Sequence, residues 1–217
     1  MAASTTSFLP LSHGLKFVNR FTIQRRIPLP LGGSVDLGDL VIGLCGGMCF
    51  TALDCYHSGI PVPSHRTVPQ AGSKLYRHLI KKQVESLIPP DGVFKVLTWT
   101  AKEDAYVWRH TAGREFRKLR SRLDKKQPAV LALIRVRWGE DPGKNHQVVA
   151  RAYSYDKQSG EVEIRLYDPN HPGKEPRLTM NIARPLQGIN AKQSSGERLR
   201  GFFVIDYKPG EPPVLAG

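Results

Sequence analysis

The sequence predicts an α+β domain, with a helical first half packed on a mostly antiparallel sheet built by the second half. Two observations predict it. Between residues 43 and 127 apolar residues recur at three- and four-residue spacing. After Pro128 they alternate or run together in five short segments separated by Gly, Pro, Asn and Asp. Helical and strand patterns that are segregated along the chain indicate α+β rather than a parallel α/β layout. A length of 217 residues suits one domain, 1–217, with an N-terminal arm (1–42), a helical half (43–127) and a sheet half (128–217).

In chain order, residues 1–42 read as an extended arm, broken by IPLPLGG at Ile27 to Gly33 and able to pack through Leu15, Phe17 and Phe21. A helix can start at Cys45 and run to about His57, with Met48, Ala52, Leu53 and Tyr56 as its apolar stripe. Gly59 and Pro61 stop it. Ser73 caps a second helix carrying Leu75, Leu79, Ile80, Val84 and Leu87, ended by Pro89-Pro90. Residues 92–100 are ambiguous. A basic helix follows at about 113–126, where Phe116, Leu119 and Leu123 hold helical spacing. The strand segments are AVLALIRVRW, HQVVARAYSY, EVEIRLYD, RLTMNIA and GFFVIDY.

Hydrophobic content of 40% and charged content of 24% are those of an ordinary globular protein. No apolar run approaches the roughly 18 residues of a membrane span. The three cysteines, Cys45, Cys49 and Cys55, fall within one short stretch, and their number is odd. Reduced thiols follow, in a cytoplasmic protein or one delivered without a Sec signal. The first 35 residues contain no acid and are rich in Ser and Thr, a composition shared with organellar transit peptides. A net charge of +13 permits an anionic partner. The densest basic block, Arg114 to Lys126, reads as the solvated face of its helix, since no aromatic residues alternate with the cations as a stacking platform needs.

The chemistry is expected where the two halves meet. In the hairpin from His146 to Asp168, with its turn at DKQSG, strict alternation puts His146, Val148, Ala150 and Ala152 on one face. It puts Val162, Ile164, Leu166 and Asp168 on the matching face of the next strand. Pairing Tyr155 with Val162 makes His146 and Asp168 adjacent or diagonal neighbours, and a carboxylate beside an imidazole fixes its tautomer. Cys45 opens a helix, where thiolate is favoured. Gly43 allows a sharp approach to it. Gly46 and Gly47 are costly in a helix, which implies that something comes close to the backbone there; backbone N–H groups at such a start can serve as an oxyanion hole. Zinc on Cys45, Cys49, Cys55 and His57 is disfavoured, because the four would point different ways from one short helix. No metal and no cofactor is expected. Asn170 and His171 in YDPNHPG read as turn residues, and Trp108 and Trp138 either line a cleft or pack.

The order Cys, His, Asp across a helical and a sheet half resembles the papain-like cysteine peptidase superfamily. CGGMCFTAL looks like the nucleophile helix of its staphopain-type and bacteriocin-leader-processing branches, and NHQVVA and YDPN look like their His strand and Asp-Pro strand end. With GLKFVNRF and GFFVIDY, the set is similar to a group of papain-like proteins of bacteria and fungi over about residues 14–207. The resemblance implies the papain-like fold and a triad of Cys45, His146 and Asp168. It departs in two places. Papain has a Gln six residues before its nucleophile; here that position is Asp39, which cannot donate when ionised, and Asn19 or another amide is expected to serve instead. Overlaying papain's Cys-Gly-Ser-Cys-Trp would choose Cys49 as nucleophile, whereas the small residues after Cys45 favour Cys45.

Three functions fit. The first is a cysteine hydrolase, a thiol peptidase acting on a protein or peptide through an acyl-enzyme. The second is a deamidase or acyltransferase with the same triad. The third is a non-catalytic basic binding module. Nothing in the sequence sets an oligomeric state.

Overall fold

The computed structural model describes residues 1–28, 34–88, 92–183, 191–197 and 199–214; for 23–28 and 34–41 it describes the backbone. Helices occupy the first half and an antiparallel sheet the second, as the α+β reading expects.

The first 42 residues are not an extended arm. Ala2–Thr5 form β1, Pro10–His13 a single helical turn α1, and Phe21–Pro28 with Ser34–Ile42 an antiparallel pair, β2 and β3. Strand β1 belongs to the main sheet. The apolar residues Phe8, Leu15, Phe17 and Phe21 are all buried, which is why this segment folds back onto the body. Residues 29–33 of the IPLPLGG break lie outside the described residues.

Helix α2 (Cys45–His57) takes the bounds its sequence pattern predicts. Every residue from Gly46 to Cys55 is buried, so this helix runs through the interior rather than lying on it with one apolar stripe. Helix α3 (Lys74–Ser86) starts at Ser73, whose hydroxyl accepts the Tyr76 N–H at 3.2 Å. Its expected stop at Pro89-Pro90 lies outside the described residues. The ambiguous stretch is helical, α4 (Val93–Ala101).

The glycine pair acquires its reason here. A Cβ on Gly47 would stand 2.2 Å from the Leu79 carbonyl oxygen, and one on Gly46 would stand 2.1 Å from Ser86 Oγ. The group that approaches the backbone is therefore α3. A buried ion pair between Lys82 Nζ and Asp54 Oδ2, at 2.7 Å, ties the same two helices. The other oxygen of Asp54 accepts Tyr207 OH at 2.6 Å and Gly210 N–H at 2.8 Å, clamping the C-terminal segment onto α2.

The basic block is the end of a composite helix: α5 (Asp104–His110), a wider π turn (Thr111–Glu115) and α6 (Phe116–Asp124). Many of its polar groups are engaged rather than merely solvated. Thr111 Oγ1 and Glu115 Oε2 accept the N–H groups of Phe202 and Val204, each at 3.0 Å. Lys118 donates to the Val204 carbonyl, Arg122 pairs with Asp206, and the Arg120 guanidinium lies against Phe116, Tyr153 and Tyr155.

Strands β4 (Ala129–Ile134), β5 (His146–Tyr155), β6 (Glu161–Tyr167), β7 (Arg177–Asn181), β8 (Lys192–Gln193) and β9 (Gly201–Val204) complete the sheet. Its order is β8-β7-β6-β5-β4-β9, with β1 continuing the β4 edge of β5, and it curls into a half-barrel. The composite helix thus covers the open edge of β9, satisfying backbone groups that would otherwise template association.

The hairpin has the predicted register at its turn, Tyr155 opposite Val162. A bulge at Arg151 then changes the faces. The apolar row through Val148 and Ala150 continues into Tyr153 and Tyr155, not into Ala152. The opposite face is not outward either. Val149 is buried among Phe50, Leu53 and Trp99 under α2 and α4, so the sheet is covered on both sides.

Gly47→Ala should be worse for stability than Gly46→Ala. The first clashes with the Leu79 backbone carbonyl, which cannot rotate away; the second meets mainly side-chain ends. Overpacking of this kind costs about 1–3 kcal/mol. Urea unfolding of the two variants checks the ranking, and equal midpoints would contradict it.

Candidate active site

Three elements converge on one point. Helix α2 presents Cys45 at its first turn, half-buried. Strand β5 presents His146 as its first residue, and the turn after β6 presents Asp168. Extending the Val149–Tyr167 pairing by one step sets Val148 opposite Asp168, so His146 is its diagonal neighbour. The expected contact is there: His146 Nε2 lies 2.7 Å from Asp168 Oδ1, with both residues buried. His146 is also hydrogen-bonded to the Cys45 thiol. Since Nε2 is engaged by Asp168, Nδ1 is the nitrogen left to face the sulfur.

The charges are consistent with a thiolate–imidazolium pair. Burial pushes the Cys45 thiol up. The hydrogen bond and charge of His146, with the N–H groups of Gln147 and Gly46, outweigh that and hold it below its ordinary value. Burial pushes His146 down, but its hydrogen bonds to Asp168 and Cys45 carry it to about 9. Burial likewise pushes Asp168 up, and His146, the Asn170 N–H and the Gln193 amide bring it below the usual carboxylate range. The start of a thirteen-residue helix adds a fixed positive potential at the sulfur.

Asp168 is held by more than the imidazole. Its Oδ1 also accepts the Asn170 N–H at 2.8 Å, and its Oδ2 accepts Gln193 Nε2 at 2.7 Å. Gln193 in turn accepts from Arg135 Nη2 at 3.2 Å. Gln193 and Arg135 were not singled out by the sequence. Their signal was weak: a polar residue on a two-residue strand, and an Arg just past an apolar strand. Asn170, read as a turn residue, belongs to the site, while His171 bonds to Glu197 at 2.9 Å.

Asn19 is also brought to the site, as the sequence expected. Its Oδ1 accepts the Leu44 N–H at 2.5 Å, immediately before Cys45, and its Nδ2 donates to Asn170 Oδ1 at 3.0 Å. A Cβ on Gly43 would stand 3.0 Å from that nitrogen, which accounts for glycine there. The side chain of Asp39 lies outside the described residues. The expectation for Gly46 and Gly47 needs correction. The Gly47 N–H is taken by Gln83 Oε1 at 3.0 Å, and both glycines serve helix packing before anything else.

The other cysteines are set apart from the site's chemistry. Cys49 is fully buried and donates to the Gln147 carbonyl at 3.4 Å; burial, then the charges of Cys45 and Asp168, push its thiol well up. Burial pushes Cys55 to about 11. His57 stacks on Tyr207, away from Cys45. Of the tryptophans, Trp108 is core and Trp138 is exposed. Among the described residues, Asp168, His171 and Glu197 place one potential metal-ligand atom each within 4.8 Å of one another, but Asp168 is already committed to His146 and Gln193.

Cys45 and His146 open onto a cavity of about 270 Å³ walled by Leu87, Val93, Val96, Leu97 and Pro142. Val93 and Leu97 are exposed apolar residues, and here their exposure is into a concavity beside a thiol.

Two predictions follow from this geometry. Alkylation of Cys45 by iodoacetamide should stay fast below the ordinary thiol range and lose its imidazolium assistance as pH rises through about 9. The same pair contributes to stability with defined signs. The raised His146 value stabilises the fold at acidic and neutral pH, and that contribution fades as pH rises through about 9. The lowered Asp168 value stabilises it above the unfolded carboxylate pKa and fades in acid. Second, Gln193→Ala removes a donor that competes with His146 for Asp168, so the upper limit of the alkylation window should move to higher pH while Cys45 remains reactive. An unchanged pH profile would show that Gln193 is spectator to the triad.

In comparisons with known proteins, no family model, no curated protein and no solved structure matches this chain.

Proposed function

We propose that the protein is a cysteine hydrolase, acting on peptide bonds through an acyl-enzyme, with Cys45 as nucleophile, His146 as base and then acid, and Asp168 as the group that orients the ring. One observation carries this reading: an imidazole hydrogen-bonded on one side to a buried carboxylate and on the other to a thiol at a helix start. It is the arrangement expected of the papain-like superfamily, which the motifs around these residues resemble.

The steps follow from the residues. The Cys45 thiolate attacks the carbonyl carbon, and the imidazolium of His146 then gives its proton to the leaving amine. Water, deprotonated by His146, attacks the thioester and releases the acid, restoring the thiolate–imidazolium pair. The oxyanion is stabilised by the backbone N–H at the start of α2 and by the second Nδ2 hydrogen of Asn19, the first being bonded to Asn170. The apolar cavity beside Cys45 receives a large apolar side chain of the substrate.

The test is labelling with a thiol-directed electrophile at neutral pH, read by mass spectrometry. A selective adduct at Cys45, slowed roughly 100-fold or more in His146→Ala, is expected. Cys49→Ala should leave it intact, at the cost of a small core cavity. Labelling at Cys49 or Cys55 instead, or no dependence on His146, would sink the reading.

A further inference from the structure

Adjoining the apolar cavity, and sharing Gly43, Cys45, Gly143, Asn145 and His146 with it, lies a second hollow of about 460 Å³, lined also by Arg135, Lys144 and Glu197 beside Asn19 and Asn170. Through Arg135 and Glu197 it continues into a third, of about 430 Å³, which adds Arg137, Lys192 and Arg200. The two form one trough leading from the thiol. Not all of its cations face a ligand. Arg200 is buried and spent on Asp104 and three backbone carbonyls, and Arg137 pairs with Asp104 at 2.5 Å. Glu197 bonds to His171. What remains is Lys144 and Lys192, both exposed, with the half-buried Arg135 between the hollows.

We propose that this trough receives an acidic stretch of the peptide substrate, on the opposite side of the scissile bond from the residue in the apolar cavity. The inference rests on the hydrolase reading for its starting point, the Cys45 thiol. Three observations carry it. Among the described residues, the lining holds three cationic side chains with no carboxylate partner, Arg135, Lys144 and Lys192, against one carboxylate, Glu197. The trough shares Cys45 and His146 with the apolar cavity, so one extended chain can occupy both. And among the described residues no Phe, Tyr or Trp lines either cationic hollow, so bases of a nucleic acid would find no broad stacking platform there. A cleft with one sign of charge between low-dielectric walls concentrates oppositely charged ligands. The specificity that results is two-sided: an apolar residue on one flank and Asp or Glu on the other.

The experiment uses full-length protein carrying Cys45→Ala, so that ligand is not turned over. Its probes are a fluorescent Glu-rich peptide, the same peptide with Gln for every Glu, and a single-stranded RNA oligomer. The Glu peptide should bind by anisotropy and weaken steeply from about 0.05 to 0.5 M salt. The Gln peptide should not bind. Lys144→Glu with Lys192→Glu should weaken the Glu peptide by roughly tenfold or more. Arg114→Glu with Lys125→Glu, exposed on the far basic helix, should leave it within about twofold. In the wild-type protein the Glu peptide should also slow iodoacetamide alkylation of Cys45. Equal binding of the Gln peptide, equal losses in the two double variants, or a trough that loses RNA but not peptide on charge reversal would overturn the proposal. The two readings fail separately. Activated Cys45 without protection by the Glu peptide defeats the trough and leaves the hydrolase. Trough-dependent peptide binding beside an unactivated Cys45 defeats the hydrolase and leaves the trough.

Discussion

Helix α2 is the constraint around which the rest is arranged. A helix buried on every side must find apolar partners all round and must dispose of its polar groups internally. The sheet supplies one wall through Val130, Ala132 and Val149, and α3 supplies another through the bare backbone at Gly46 and Gly47. Asp54, a carboxylate in the middle of this buried helix, is tolerable because Lys82, Tyr207 and Gly210 give it a counter-charge and two donors. Held in this way, α2 has few ways to shift, and it reaches the surface only at its two ends. Its first turn carries Cys45.

The same economy of buried charge governs the triad. Asp168 has no solvent exposure, so its anion depends on the donors around it: His146, the Asn170 N–H and Gln193, with Arg135 behind Gln193. Removing any of them leaves a buried charge less well satisfied, which is why such carboxylates hold an imidazole in one orientation. The thiolate then sits between an imidazolium and a helix start. The hydrogen bond and charge of His146, with the N–H groups of Gln147 and Gly46, outweigh its desolvation.

How much of this was legible in the sequence depended on range. Helix α2, the Ser73 cap and the Tyr155–Val162 register follow from local pattern and turn chemistry, and the structure has them where the pattern put them. The nearness of His146 and Asp168 follows from one hairpin and survives the bulge at Arg151, because that bulge slides the register by a single residue and leaves both residues at the hairpin's open end. What was illegible needed partners distant in the chain. Strand β1 is four residues with no pattern of their own, recruited by the free edge of β5. The glycine pair announced a close approach without saying of what, and α3 was as available to the eye as a substrate. Gln193 reaches Asp168 across 25 residues from a strand too short to show periodicity.

The cleft inherits an asymmetry from this layout. One wall comes from α3 and α4, whose ends turn apolar side chains toward Cys45. The other comes from the segments after β4 and before β5, which bring Arg135 and Lys144 to the hollow at the same sulfur, with Lys192 of β8 further along. With Cys45 and Asp168 as anions on either side of the His146 cation, the centre is net negative, and the cations beyond it are what an acidic chain would meet. Under the hydrolase reading proposed above, a thiol between an apolar wall and a cationic one would select its substrate by the flanks rather than at the scissile bond itself.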